Sequence, residues 1–468
     1  MEFHPNIFLV PGLYLSLLLY LGWKQRRGRE SAETFILGGR ALTLPAFVAT
    51  LVTTWYGGIL GVGEFTYLYG LSNWFVFGLP YYVFAALYAW FVAPRIRDQT
   101  CLTIPDQIGS VYGDRAKRLS SIWTFFMTLP APYMVMIGFL VSWMTDWPLG
   151  LSILLGTVFS MGYVSLGGFG AVVRTDKLQF VLMFLGFAVL LGMLFVNVGG
   201  PSALAEKLPD SHLDPTGGNS YSFILAWWLI AIWTLVDPGF HQRCAASSSP
   251  ETARKGILVA IGFWFLFDLM TTLVGLYARA LLPDLQTPAL SFPALAVEVL
   301  PPFLVGLFLT GLLATIMSTI DSFFLLSATS FGHDLLGKDL LQKVSPAARI
   351  RIGLLVTACL AFFMALAIPS VVNLWYVIGT LLIPPVLWPF LMSLSGKPMV
   401  RVRWVLTNLV LGFIVPLGWL IAGVFRTGSL DNPTYPLGLQ PMFPGLTVSA
   451  IVLFIAWIDR PEPEFSEL

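Results

Sequence analysis

Runs of about twenty apolar residues recur along this chain, each close to the length that crosses ~30 Å of hydrocarbon as an α-helix. No other feature narrows the fold as much, because a backbone surrounded by lipid must satisfy every N–H and C=O internally. Thirteen windows stand out, at approximately 7–23, 44–70, 74–92, 119–143, 148–166, 178–198, 222–240, 257–281, 302–331, 352–368, 370–394, 402–425 and 446–458. Hydrophobic residues make up 57% of the 468 and charged residues only 11%, far from the balance of a water-soluble chain of this size. The expected fold is an all-α polytopic membrane protein with thirteen transmembrane helices.

Charge tests this count independently, since translocation disfavours Lys and Arg in short loops. With the N-terminus outside, the inner segments hold 23 of the 26 basic residues, and only Lys207, Arg279 and Arg426 fall outside. The C-terminus is then inside, and losing one span would scramble the pattern. The first window has no basic residue before it, while Lys24-Gln-Arg-Arg-Gly-Arg29 follows it, so it reads as a retained anchor rather than a secretory signal.

Several function classes drop out. The basic residues are spread over inner loops and the net charge is +1, so no nucleic-acid partner is expected. Cys101, Cys244 and Cys359 lie at inner loops or in spans and invite no disulfide. His4, His212, His241 and His333 are scattered, without metal-ligand spacing. The longest stretches outside the spans are about twenty residues, and no Walker-type glycine loop is present. Transport driven by a nucleotide domain of its own is excluded on that basis, which leaves an ion gradient or passive flux.

Inside the ninth window the chain reads Ala314-Thr-Ile-Met-Ser-Thr-Ile-Asp-Ser322. At 3.6 residues per turn Thr315, Ser318, Thr319 and Ser322 share one face with Asp321 beside them, and such groups are costly in lipid. Hydroxyls and a carboxylate suit a small hard cation. Against that stands the plainer role of Ser and Thr in spans, which often bond only backbone carbonyls or a neighbouring helix.

Two windows carry interruptions. Thr53-Thr-Trp-Tyr-Gly-Gly-Ile-Leu-Gly-Val-Gly63 packs four glycines into seven residues of the second, weakening the helix and permitting close approach. The seventh ends in Trp233-Thr-Leu-Val-Asp-Pro-Gly239, where Pro removes a hydrogen bond. Discontinuous helices expose backbone groups where a cavity lets them bind something. The interruptions lie five spans apart, and an odd separation makes corresponding spans cross in opposite directions, as in an inverted repeat. Glycines as simple packing notches are the competing reading.

At this point the chain resembles a known family. Gly38-Gly-Arg-Ala-Leu42, Thr54-Trp-Tyr-Gly-Gly58 and Tyr69-Gly-Leu-Ser72 look like the opening of the sodium:solute symporters, which include sodium/proline and sodium/sugar transporters. Gly167-Gly-Phe-Gly-Ala-Val-Val-Arg-Thr-Asp176 resembles the loop into the family's fifth core helix, and Gln242-Arg-Cys-Ala-Ala246 its segment after the sixth. Ala314 to Ser322 with His333-Asp334 resembles the eighth. The likeness covers about residues 38–395. It implies a leucine-transporter-like core of two inverted five-helix repeats, 44–200 and 222–396, joined by an outer loop at 201–221. Residues 1–43 would add one helix and a basic inner loop, and 397–468 two helices and a short inner tail.

The resemblance also implies a site. One sodium would sit between the break of the first core helix and the eighth, held by the carbonyls of Thr53, Tyr56 and Thr315 and the hydroxyls of Ser318 and Thr319. A second cation site found in some members would map to Asp176, Ser318, Asp321 and Ser322. Asp321 departs from the hydroxyl expected there, so the two carboxylates could bind a second sodium, carry a proton, or pair structurally with Arg174 or Lys177. The solute pocket would lie at the midplane, lined by Trp55, Gly57, Gly58 and Leu60 of the break, by the face from Trp227 to Trp233 with Trp228 and Trp233 foremost, and by the region from Leu374 to Tyr376 with Trp375 and Tyr376. Such aromatics serve equally as core or interface residues. Glu64, just past the break, is an acid within a span and either faces the cavity or a structural partner. Asp268 is a weaker candidate, and Asp237 is expected to cap a helix or pair with Arg243.

The implied activity is sodium-coupled symport of a small organic solute, of the amino acid, sugar, carboxylate or vitamin class, by alternating access. Sodium is the one cofactor; the partners are the solute, sodium and the bilayer, with no obligate protein partner evident. The expected location is a bacterial inner membrane. A proton-coupled transporter of the same fold is one alternative. A transporter-like solute sensor is another, although sensors usually carry a signalling domain and only ten residues follow Ile458. No enzyme is expected, since no span presents a nucleophile with its base or a metal set.

Overall fold

Ser, Thr or Asp followed by Pro opens one helix after another in this chain. Ser249 accepts from the Thr252 N–H ahead of Pro250, Ser345 from the Ala348 N–H ahead of Pro346, and Asp237 from the Phe240 N–H ahead of Pro238. These side chains satisfy donors that a first turn leaves without partners. The computed structural model describes residues 4–24, 31–336, 343–428 and 433–460. The basic flank at 25–29, Lys338 and the tail from residue 461 lie outside the described residues.

The main helices are α1 (Leu9–Lys24), α2 (Leu44–Trp55), α3 (Ile59–Tyr69), α4 (Leu79–Phe91), α5 (Asp114–Met127), α6 (Ala131–Thr145), α7 (Leu149–Asn197) and α8 (Tyr221–Ile230). They continue as α9 (Pro238–Ala246), α10 (Pro250–Leu281), α11 (Pro302–Thr329), α12 (Pro346–Ala367), α13 (Val371–Ser393), α14 (Val402–Thr427) and α15 (Met442–Ile458). Among the described residues ten helical stretches are long and apolar enough to cross a membrane, and four shorter apolar helices run over Pro5–Leu21, Leu149–Gly162, Pro288–Val299 and Met442–Ile458. Three of those four coincide with expected windows. The protein is an all-helical polytopic membrane protein.

Both expected interruptions are present. A 3-10 turn at Tyr56–Gly58 separates α2 from α3, and one at Ala231–Val236 separates α8 from α9. The glycines of the first break keep negative φ values and act by close approach: a Cβ on Gly57 would overlap the Thr319 side chain, and one on Gly58 the Trp375 indole. The segment around Gly167 departs from the expected loop. The residues from Phe169 to Asp176 are already helical, and two helical stretches, Leu149–Gly162 and Gly167–Asn197, meet at a kink on Gly168 (φ 53°, ψ −151°). A Cβ there would lie 2.6 Å from the Phe35 carbonyl oxygen, so both the backbone angle and the space require glycine. Asp176 therefore sits on a helix and points inward, while Arg174 and Lys177 are exposed.

Helix α11 lies at the centre, buried along nearly its whole length from Val305 to Thr329. It packs against α7, α2 and the break, with α1 closing over α7 and α11. The last two helices pack on each other and on α13, whose Pro389 cannot donate to the Pro385 carbonyl. Asn408 of α14 donates to that carbonyl at 2.9 Å, and Ser449 of α15 donates to the Pro384 carbonyl at 2.9 Å. Polar groups in a span thus tie the peripheral pair to the core.

Segments expected on the inner side meet one another. Leu42 bridges Ser247, Arg40 donates to the Gln99 and Thr100 carbonyls at 3.0 Å, and Arg97 donates to the Ser247 carbonyl. Segments expected outside also group together: the Leu71 N–H donates to the His212 carbonyl at 2.9 Å, and the Tyr277 phenol to the Gly199 carbonyl.

Candidate functional site

Unwinding at 56–58 removes partners from the carbonyls that end α2, and α11 supplies one. The Thr319 hydroxyl donates to the Thr54 carbonyl at 2.7 Å, directly where Gly57 lets the two backbones approach. Thr53, Tyr56, Thr315, Ser318 and Thr319 are all buried around this crossing. Two of these side chains have local partners: the Thr315 hydroxyl donates back to the Gly311 carbonyl at 2.7 Å, and the Thr53 hydroxyl to the Ala49 carbonyl at 2.9 Å. The Tyr56 phenol reaches the Trp264 carbonyl at 2.9 Å. The Ser318 and Thr319 hydroxyls and the Thr54 carbonyl meet at this crossing, an oxygen-rich place of the kind a small hard cation takes.

One turn back along α2, at Thr50, lies a second network. Asp176 accepts from the Ser318 hydroxyl at 2.6 Å and, through its other oxygen, from the Thr50 hydroxyl. Arg243 reaches the same place from α9 and donates to Thr54 at 2.7 Å, Ser322 at 2.8 Å and Thr50 at 3.1 Å. Its guanidinium is fully buried, and the Phe169 ring centroid lies 5.7 Å away. The cation associated with Asp176 is therefore Arg243, bridged through Thr50, and not Arg174 or Lys177. Arg243 also leaves the inner-loop tally, because it lies inside the protein. Asp321 is fully buried on α11. Asp237 accepts from the Phe240 N–H at 2.9 Å, which is the capping role.

Beside these networks lies a cavity of about 940 Å³, part of it open to solvent. Of the expected solute contacts, Trp55, Gly58, Trp233 and Trp375 line it, and Asp237 and Asp268 join them. Gly57 faces Thr319 instead. Leu60 is packed in the core and Glu64 is half-buried on α3; neither lines the cavity. Trp228 turns its indole to the Phe75 carbonyl at 3.0 Å, and its neighbour Trp227 takes the cavity position. Tyr376 binds Gln440 through its phenol and stacks on Tyr435 at 6.5 Å, away from the cavity.

The sequence did not assign Arg243, Thr50, Thr54, Tyr81 and Tyr133 to the site. One signal was available for Arg243: it follows the Asp237-Pro-Gly239 interruption by a single helical turn, where a cation can turn back into the break.

A separate cluster joins the start of α5 to the Ser330–Leu335 segment that follows α11. Lys117 pairs with Asp106, His333 Nε2 stands 3.0 Å from the other Asp106 oxygen, and Asp334 accepts from Thr103 at 2.9 Å. Burial pushes the Asp106 carboxyl up, but His333 and Lys117 outweigh it and hold the group well below the usual carboxylate range. Lys117 also lies 3.9 Å from Asp334, so the protein's own ammonium compensates the acids.

A family model described as the sodium:solute symporter family matches residues 35–401. The osmoregulated proline transporter OpuE of Bacillus subtilis is 25% identical, over 98% of this chain and 96% of its own. The high-affinity proline transporter PutP of the same organism is 26% identical over 95% and 96%. The high-affinity choline transporter 1 of Drosophila melanogaster is 26% identical over 79% of this chain and 63% of its own length. Among solved structures, a Na+-coupled sialic acid symporter superposes with a TM-score of 0.76 at 16% identity over 98% of both chains, which is a likeness of fold. The matched region holds both broken helices, the oxygen-rich crossing and the cavity, and the chain belongs to the sodium:solute symporter family: it is a transporter for sodium-coupled symport of small solutes.

Proposed function

We propose that sodium binds where the break between α2 and α3 meets α11, held by the carbonyls of Thr53, Tyr56 and Thr315 and the hydroxyls of Ser318 and Thr319. The observation that carries this is the hydroxyl of Thr319 aimed across Gly57 at the Thr54 carbonyl, in the last turn of α2 before the break. A bound cation would tie the two elements together and favour the conformation that accepts solute; its loss inward would release them. Each sodium charge moved across 100 mV supplies ~2.3 kcal/mol. The solute binds in the adjacent cavity, and its transport follows alternating access of two inverted repeats, 44–200 and 222–396, in a thirteen-span protein. The family's name and the proline and choline relatives support a small organic solute. The bilayer is a bacterial inner membrane, with the N-terminus outside and the C-terminus cytoplasmic.

Asp176, Ser318, Asp321 and Ser322 form a second locus for a cation or a proton. The buried carboxyl of Asp176, held by two hydroxyls, supports a proton-coupled variant of the same mechanism as the competing reading. Uptake of labelled solutes into proteoliposomes, with imposed sodium or proton gradients, decides between them. Accumulation that follows sodium and disappears in the Ser318→Ala, Thr319→Ala double variant is the expected result. Accumulation driven by the proton gradient alone would replace it, and an unchanged sodium Hill slope in Asp176→Asn and Asp321→Asn would leave those acids structural.

A further inference from the structure

From the walls of the cavity we infer the solute's chemical class: a small alkylated ammonium compound carrying an oxygen acceptor close to its charged nitrogen. This rests on the cavity being the solute site, as proposed above. Its walls are two groups of rings. In one, Phe77 meets Trp227 edge-on at 4.8 Å and Trp375 at 6.1 Å, and Trp375 lies 6.3 Å from Tyr133. In the other, Trp55 meets Tyr81 at 4.8 Å and Phe240 at 5.8 Å. Rings from separate helices thus surround one space and can present π-faces, which attract an alkylated cation without the directed hydrogen bonds that a bare ammonium requires.

Charge points the same way. The described lining holds Asp237 and Asp268 against a single cation, Arg243, whose Nη2 already serves three hydroxyls. A purely anionic solute would meet a net acidic wall. A sugar would need a polar partner for each of several hydroxyls, yet the described lining contains no Asn, Gln or Ser. Its one Thr, Thr54, is bonded to Arg243 and Ser322, the Tyr56 phenol is bonded to the Trp264 carbonyl, and the phenols of Tyr81 and Tyr133 are what is left among apolar rings. Two donors in the lining do lack partners among the described residues: the Trp227 indole N–H and the Arg243 Nε–H. Buried donors of that kind call for an acceptor, which a hydroxyl or carboxylate on the solute supplies.

The test uses the full-length protein in proteoliposomes, with equilibrium binding and sodium-driven uptake of labelled choline, glycine betaine and proline, set against glucose and lactate. Saturable binding of at least one ammonium compound, at least tenfold tighter than glucose or lactate, is expected. Trp375→Leu should weaken it tenfold or more. Trp227→Phe keeps the ring and removes the N–H, so it should weaken the oxygen-bearing compounds while leaving tetramethylammonium unchanged. Binding or accumulation of glucose or lactate with no ammonium compound bound overturns the inference and leaves sodium coupling standing, and so does Trp227→Phe weakening tetramethylammonium equally. Failure of all five to bind overturns it too. Ammonium binding with accumulation indifferent to sodium upholds the solute class and removes the coupling.

Discussion

The Thr319 hydroxyl and the Thr54 carbonyl, 265 residues apart in sequence, lie 2.7 Å from each other in the middle of the protein. This contact links the buried centre of α11 to the last turn of α2, where the second span passes from α-helix into a 3-10 turn. Removing the hydroxyl should leave the fold in place and strike the cation site. Thr319→Ala is expected to raise the sodium concentration for half-maximal uptake at least tenfold, about 1.4 kcal/mol of lost affinity. Uptake measured against sodium concentration checks it, and an unchanged half-saturation would remove Thr319 from the site.

Gly57 has no room for a side chain. Gly57→Ala should abolish uptake and destabilise the protein by about 1–3 kcal/mol, the usual cost of forcing atoms into a packed contact. Thr319→Gly in the same chain should recover part of that stability, because the overlap is with the Thr319 side chain. Thermal unfolding in detergent reads both, and strict additivity of the two changes would contradict the contact.

Arg243 is the buried positive charge of the site. Arg243→Met should cost about 3–5 kcal/mol, because Asp176 is left as an uncompensated charge in the protein interior. Adding Asp176→Asn should return part of the loss. If the double variant is no more stable than Arg243→Met, the two residues are not electrostatically coupled through Thr50.

The Asp106 cluster predicts a response to acid. A carboxyl whose folded pKa is depressed contributes stability above its unfolded value and loses it as pH falls through the folded one. Solubilised protein should therefore become less stable on acidification below about pH 4. Asp106→Asn should flatten that decline and cost about 1–3 kcal/mol at neutral pH. A variant whose stability follows the parent at every pH would dismiss the cluster as a stabilising element.

Much of this was legible in the chain. Apolar windows located the helices, and the Gly57-Gly58 and Pro238-Gly239 pairs located both breaks, because chain continuity and local backbone chemistry decide those features. The hydroxyl face of α11 was legible from the 3.6-residue period alone. Other expectations failed for local reasons. Around Gly167 a longer loop was expected, but one glycine with positive φ, Gly168, is enough to turn the chain between two helices, so Asp176 already lies on the second. The face from Trp227 to Trp233 was expected at the cavity with Trp228 foremost, but Trp227 and Trp228 have equal hydropathy, and only packing decided that Trp227 lines it.

The sequence by itself determined that this is a helical membrane protein, which spans are interrupted, and that hydroxyls and acids lie within them. These follow from patterns between residues a few positions apart. Tertiary structure alone decided that Arg243 turns into the interior to join Thr54 and Ser322, and that rings from distant helices enclose one cavity. Thr54 and Ser322 are 268 positions apart, and no period along the chain encodes a meeting at that range. It arises because a buried charge must find polar partners in a low-dielectric interior, and the folded packing determines which of them are within reach.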